Sequence, residues 1–314
     1  MSGRAARGAA AVRLAWLALV CLPFPPPAGA DPLAVVEVAP GVFVHPGVHE
    51  DFTPGNAGGH ANLAFIVGET AVAVVDSGGS RRQGERLLEA IRERTELPVR
   101  WVVNTHVHPD HVLGNAAFRA EGTVFVGHRK LPGAMARAGP YYLNNMRRLL
   151  GDAFAGTELV PPTLLVADRM ELELGGRRLH LRAWPTAHTD NDLTVLDERT
   201  GTLLAGDLMF MERIPIVDGS LNGWLRVLDE LELVAATRVV PGHGPAAAPW
   251  PEALAPQRRY LGSLRERVRA VIAVGGTMEQ AVEAVAPDER DAWRLVPDNH
   301  PRNVISSYRE LEWE

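Results

Sequence analysis

Apolar residues in the first half of the chain fall into short runs at two different periods. Gly41–His45, Ala61–Val67 and Ala71–Asp76 read as strands of an opening sheet, the last a continuous apolar run that ends in an acid, as a buried strand does. Ser80-Arg81-Arg82-Gln83 predicts a capping box, and Leu87, Leu88 and Ile91 then recur at helical spacing to about Thr95. A β run follows at Val99–Asn104, then a histidine-rich turn, a short helix from about Asp110, a strand at Thr123–Gly127 and helical material to about Gly151.

The second half repeats this plan loosely. Arg169–Leu174 and Arg177–Trp184 flank Gly175-Gly176, a hairpin signal, and Leu193–Leu196 and Thr202–Gly206 flank a second one at Glu198–Gly201. A helix near Ser220 carries Trp224, Leu225, Leu228 and Leu231, and Arg238–Pro241 is a last short strand. From Pro251 on the pattern is helical, with a stripe of Leu254, Leu261, Leu264, Val268 and Val271 that ends at Gly275-Gly276. Each half has paired strands, an apolar strand ending in Asp (Asp76, Asp207) and a helix after it. This predicts two sheets packed face to face with helices outside: one domain over residues 31–250 and a helical extension over 251–314 packed on it.

Composition removes several functions. The chain has 314 residues, a formal net charge of −6 and one cysteine, and Lys130 is its only lysine among 32 basic residues. An acidic balance argues against a nucleic-acid footprint, which needs basic residues clustered on one face. The first thirty residues read as a secretion signal: Arg4, Arg7 and Arg13 ahead of an apolar run from Leu14 to Phe24, then Ala28-Gly29-Ala30 before Asp31. The absence of an adjacent arginine pair favours general secretion, and Val20 before Cys21 argues against a lipid anchor. Cleavage leaves a periplasmic protein without a membrane anchor, takes away three arginines and no acid, and deepens the net charge to −9. It also removes the sole cysteine, and with it any thiol nucleophile, thiolate ligand or disulfide.

Three of the 11 histidines fall within six residues, in Thr105-His106-Val107-His108-Pro109-Asp110-His111. His106 and His108, two apart on an extended segment, can share one ion, while Asp110 and His111 on the first turn of the next helix can face a second. Imidazole nitrogen with a minority of carboxylate oxygen suits borderline metals such as zinc, and iron and manganese accept His/Asp sites too. His188 in Pro185–Asp190, Asp207 at the end of an apolar strand, and His243 between two glycines fit the same site. Alone each would pass for a loop residue; each follows a predicted strand.

In this order, Asp76, the His106–His111 cluster, His188, Asp207 and His243 resemble the five motifs of the metallo-β-lactamase-fold hydrolase superfamily. The resemblance spans about residues 36 to 247. It implies an α+β fold, a four-layer αββα sandwich, and two zinc ions: His106, His108 and His188 on one, Asp110, His111 and His243 on the other, Asp207 bridging, and Asp76 steadying the histidine turn without touching metal. Within the superfamily, Asn104–Ala117, Trp184–Leu196 and Leu203–Phe210 most resemble the SoxH-related quinoprotein relay system zinc metallohydrolases, which implies association with a periplasmic quinoprotein system.

Two zinc ions activate a bridging water for attack on a carbonyl, and no other nucleophile is in evidence: no Gly-x-Ser-x-Gly elbow occurs. Asp110 is the best-placed group to orient that water and shuttle its proton. An acid at 207, where β-lactamases of the superfamily often have Cys or Ser, resembles the glyoxalase-II-like thioesterases and the esterase branches, and with an almost lysine-free chain this resemblance implies a small ester, thioester or lactone substrate. A β-lactam is the alternative, and a metal-binding accessory role without turnover is the reading of another class. His45–His60 is a candidate loop over the metals, Tyr141, Tyr142 and Asn145 are weighed between substrate contact and helix packing, and Arg213 between anion binding and a solvated charge. His128 and His180 read as structural.

Overall fold

Successive residues of strand β4 (Val72–Val75) face opposite ways: Val72 and Val74 pack outward under helix α1 (Arg81–Arg92), and Ala73 and Val75 pack inward against a second sheet. All four are buried, which is why the run is continuously apolar rather than alternating. The computed structural model describes residues 1, 3, 31–287 and 290–314, so the expected secretion signal lies outside the described residues apart from positions 1 and 3. Among the described residues no helix is long and apolar enough to cross a membrane.

The first sheet has seven strands in chain order: β1 (Val36–Ala39), β2 (Val42–His45), β3 (Leu63–Val67), β4, β5 (Val99–Asn104), β6 (Val124–His128) and β7 (Leu164–Val166). It is antiparallel as far as β4 and parallel from there on. The second sheet has the order β13-β12-β11-β10-β9-β8, from β8 (Arg169–Glu173), β9 (Arg178–Ala183), β10 (Leu193–Asp197), β11 (Thr202–Phe210), β12 (Arg238–His243) and β13 (Ala248–Pro249). Only β11 and β12 pair in parallel, joined by helix α4 (Leu221–Leu231) as a crossover.

Ile66, Val75, Val103, Leu181, Val195, Leu204 and Val240 fill the space between the sheets. Outside the second sheet, α4, α5 (Ala255–Ala273), α6 (Met278–Ala284) and α7 (Val296–Leu311) bury Trp184, Leu203, Trp224, Leu228, Leu261 and Val304 in a single cluster. The expected α+β sandwich of four layers, helix, sheet, sheet, helix, is what the chain forms, and a C-terminal helical region completes one outer layer. Helix α3 (Leu131–Leu150) buries Leu131, Met135, Met146 and Leu150 in a further cluster with Val112 and Leu113.

Polar ties also hold the sheets together beyond apolar burial. Arg177, 2% exposed, donates from Nε and Nη2 to Asp197 at 2.8 and 2.7 Å and from Nη1 to the carbonyl of Val67 at the end of β3. Asn62, just before β3, donates from Nδ2 to the carbonyl of Pro241 in β12 at 2.9 Å, and His128 at the end of β6 accepts from the amide of Lys130 at 3.0 Å.

The differences from the predicted elements are local. β1, β7 and β13, two to four residues each, were too short to announce themselves; Pro161 and Pro162 precede β7. β11 does not stop at Gly206 but runs on, fully buried, to Phe210. Ser80 does cap α1, accepting from the Gln83 amide at 3.2 Å, yet the expected reciprocal bond is displaced by one residue. Gln83 Oε1 accepts from Gly79 N, so this is not a capping box; Thr277 and Gln280 build one at the start of α6.

Candidate metal centre

The parallel strands β4 and β5 end side by side, and their carboxyl ends deliver the first half of the site. Asp76, one residue past β4, has a left-handed backbone (φ 60°), which turns its carboxylate under the next strand's exit. Its Oδ1 accepts from the Thr105 amide (2.8 Å) and its Oδ2 from the Thr105 hydroxyl (2.7 Å) and from Nδ1 of His111 (2.7 Å). Helix α2 (Pro109–Val112) begins with proline at its first position and carries Asp110 and His111 on a buried turn. Behind it, Ser77, Asn104 and Asn115 form a buried hydrogen-bonded trio that also holds the carbonyl of His111.

The second sheet delivers the rest. The loop after β9 carries His188 and is folded by Asp192, which accepts from the Thr189 amide (2.9 Å) and hydroxyl (2.6 Å); burial pushes the Asp192 carboxyl up to about 7. Asp207 lies within β11 and His243 ends β12. Two glycines make this approach possible. Gly206 has φ +52° and a Cβ there would come within 2.6 Å of Thr105, while a Cβ at Gly242 would lie 2.0 Å from Asp207 Oδ1.

These seven side chains converge. Nδ1 of His108 lies 3.0 Å from Nε2 of His106 and 3.0 Å from Nε2 of His188, and with Asp207 they form a group whose potential ligand atoms all lie within 4.8 Å of one another. Asp110, His111 and His243 form the second such group. Asp207 faces both: Oδ2 is 3.4 Å from His188 Nε2 and 3.3 Å from His243 Nε2, and Oδ1 is 3.2 Å from His111 Nε2. Asp76 stands behind His111 in neither group.

Hydrogen bonds on the far side of each ring fix which nitrogen carries the proton. His111 Nδ1 faces Asp76, His188 Nδ1 the carbonyl of Ile216 (2.7 Å), His243 Nδ1 the carbonyl of His60 (3.0 Å), and His108 Nε2 the carboxylate of Asp218 (3.0 Å). Each of these partners accepts only. His106 Nδ1 meets Thr105 Oγ1 (3.0 Å), whose own hydrogen goes to Asp76, so that ring too must donate outward. Five imidazole nitrogens therefore converge around two buried carboxylates. Against the cost of burial, Asp207, Asp76 and Asp110 hold the His111 ring well above its usual range, so that it keeps a second proton where a metal ion would take the proton's place. His111 Nε2 and Asp207 Oδ1 are buried with no hydrogen-bond partner. Burial, with the neighbouring histidines, holds His106 well below its usual range and His188 at about 4, so both rings are neutral and ready to coordinate at pH 7. The residues present fit metal ions, and His/Asp donors without sulfur fit zinc.

Asp110, His108, Asp207 and His243 form the floor of a cavity of about 380 Å³. Its walls include Tyr141, Tyr142, Asn145 and Met146 from α3, Phe52 from the His45–His60 segment, and Arg213, so the residues weighed between packing and substrate contact do face the site. A larger cavity, about 510 Å³, lies among Glu171, His180, Arg182 and Leu203 and touches none of the potential ligands. His180 lies there between Glu171 and Glu198 on the sheet surface. Sequence reasoning missed Asp218, Asn299, Arg302 and the His60 carbonyl; a lone acid in a loop and a helix 60 residues beyond the last motif carry no local signal.

The sequence profile of the metallo-beta-lactamase superfamily matches residues 57–243, more than half of the chain. The chain belongs to that superfamily. Members of the metallo-beta-lactamase superfamily are generally hydrolases. A beta-lactamase-like protein 2 homolog of Caenorhabditis elegans is 25% identical over 183 residues, 58% of this chain and 55% of that protein, so the chain spans about half the length of this curated relative. Among solved structures, a stereoselective inverting sec-alkylsulfatase from Pseudomonas sp. matches 90% of this chain and 51% of its own (TM-score 0.71, 18% identity). A metallo-beta-lactamase from Pontibacter korlensis matches 73% of this chain and 99% of its own (TM-score 0.59, 20% identity). At these identities the structural likenesses establish the superfamily fold.

Proposed function

We propose that this protein is a binuclear zinc hydrolase of a small ester, thioester or lactone, acting in the periplasm after removal of residues 1–30. The observation that carries the reading is the convergence of five outward-donating histidines on Asp207 and Asp110, with His111 Nε2 and Asp207 Oδ1 left without partners. His106, His108 and His188 would hold one ion and Asp110, His111 and His243 the other, with Asp207 between them. Zinc bound there would supply a water whose pKa is lowered towards ~7 and would polarise the carbonyl under attack. Asp110 is both a potential ligand and part of the cavity floor, so its carboxylate is the chain's own group for taking up the water's proton and returning it to the leaving oxygen. Burial of the floor keeps bulk water from competing for these groups.

A second reading, hydrolysis of an alkyl sulfate ester, is supported by the extent of the alkylsulfatase likeness, which takes in 90% of the chain where the β-lactamase takes in 73%. Metal analysis of the purified mature protein, with a screen of chromogenic esters, thioesters, lactones, phosphodiesters, an alkyl sulfate and a cephalosporin, tests both. Two zinc ions per chain and turnover of a carboxylic ester are expected. Preferred turnover of the alkyl sulfate or the cephalosporin would replace the substrate assignment. A zinc-loaded protein that turns over none of these and binds a purified periplasmic quinoprotein would establish the accessory role instead.

A further inference from the structure

The wall of the metal cavity opposite α3 comes from outside the superfamily match, which ends at His243. It is built by α7. Asn303, 1% exposed, donates from Nδ2 to the carbonyl of Pro215 (2.6 Å) and accepts from the Val217 amide (2.9 Å). Residues 212 and 214 pair with the backbone of Arg294, and Glu310 accepts from Ser220, Leu221 and Asn222 at the start of α4. The C-terminal region thus grips the loop that carries Arg213, Ile216 and Asp218. Arg302 and Asn299, beside Asn303 on α7, complete the cavity next to Arg213.

The two guanidinium groups in this wall lack the partners that cations in a protein normally find. Nε of Arg213 is buried with no hydrogen-bond partner, and its Nη1 meets only ring nitrogens, His243 Nδ1 at 3.3 Å and His60 Nδ1 at 3.4 Å. Among the described residues neither Arg213 nor Arg302 has a carboxylate within ion-pair distance; Asp110 and Asp218, which line the same cavity and feel these charges, face His243 and His108. The half-buried guanidinium of Arg213 keeps an unused buried donor, which is costly until an oxyanion takes it, while Arg302 is exposed at the rim of the same cavity with its donors open to that anion; the planar fork of both suits carboxylate and sulfate alike. The lining also has apolar surface, from Phe52 and Tyr142 over the buried edge of Met146.

We infer that Arg213 and Arg302 bind an anionic group of an amphiphilic substrate whose apolar part lies against Phe52, Tyr142 and Met146, which makes α7 a specificity element of the site. The inference rests on the hydrolase reading for the bond that is cut, but not for the binding of the anion. The matched probes are 4-nitrophenyl hexanoate, mono-4-nitrophenyl adipate and 4-nitrophenyl 5-sulfopentanoate, which share the same methylene spacer and differ only at the far end. In zinc-loaded full-length protein, Arg302→Gln is expected to raise KM for the adipate ester about 10-fold or more with kcat within about twofold, to leave the hexanoate ester unchanged, and to be rescued in part by Arg302→Lys. A larger penalty for the sulfonate than for the carboxylate would identify the sulfate-type oxyanion as the natural group. Equal effects on charged and neutral esters, or none, would overturn the inference. Calorimetric titration of adipate into the protein, as isolated and after chelation, decides the anion site even if wild type hydrolyses none of the esters. Binding that weakens about 10-fold or more in Arg302→Gln supports it, and binding that is absent or unaltered by the variant overturns it.

Discussion

Nε2 of His108 lies 3.0 Å from a carboxylate oxygen of Asp218, on the side of the ring away from the nitrogen that faces His106 and His188. His111 is backed in the same way by Asp76, at 2.7 Å. Each acid orients one imidazole and holds its proton outward, so the two should behave alike although one precedes the histidine cluster in sequence and the other follows it by more than 100 residues. Asp218→Asn and Asp76→Ala are each expected to weaken zinc affinity roughly 10–100-fold while leaving the stoichiometry at saturating metal unchanged. Competition titration against a chromophoric chelator measures this, and unchanged affinity would make either acid purely architectural.

Removing a potential ligand should act differently. His106→Ala and Asp207→Ala are expected to lower the bound metal below two ions per chain and to abolish hydrolysis. Retention of the full zinc content, measured by mass spectrometry of the metal, would sink the ligand assignment.

Arg177 and Asp197 offer a test of the sandwich itself. Arg177→Met leaves the buried Asp197 carboxylate without a counter-charge, held only by the Thr200 amide and hydroxyl, and the expected loss of stability is about 3–5 kcal/mol. The double variant with Asp197→Leu should lose less, because no charge is stranded. Urea unfolding of all three proteins measures the coupling, and a single variant within about 1 kcal/mol of wild type would mean that this tie between the sheets contributes little.

His128 predicts a pH dependence away from the metals. Its ring accepts from the Lys130 amide, so protonation would set one N–H against another; burial, with Lys130 and Arg129 nearby, brings its pKa down to about 4. The unfolded chain takes up this proton near pH 6.5 and the folded chain only near pH 4, so the contribution to stability is complete above about pH 6.5 and is lost as pH falls from there towards 4. His128→Asn, which cannot titrate, is expected to lose less stability than wild type between pH 7 and 5. Thermal unfolding of chelated protein at the two pH values reads the difference, and parallel losses in both proteins would remove His128 from the account.

Much of this was legible in the chain because the chemistry is locally dense. His106, His108, Asp110 and His111 stand within six residues, and their neighbours Val102 and Val103 are apolar for a strand buried on both faces, so cluster and strand end announce each other. His188, Asp207 and His243 could be added because each follows an apolar run. Asp218 and Arg302 could not. One lies in a loop without periodicity, and the other is one of many arginines on a polar helix; what makes them matter is a packing of α7 on residues 215–217 that no local pattern encodes. The Gln83 side chain misled for a related reason: its spacing from Ser80 was right, but a glycine pair at 78 and 79 left a nearer amide to bond.

The centre is divided between the two sheets, with Asp76 and His106–His111 leaving the first and His188, Asp207 and His243 the second. Neither sheet carries a complete coordination sphere, so any ion held there works as a rivet through the sandwich. Metal binding and the stability of the sandwich would then be linked, and the melting temperature would rise with the free metal concentration. A chelator would lower that temperature without touching the apolar core between the sheets.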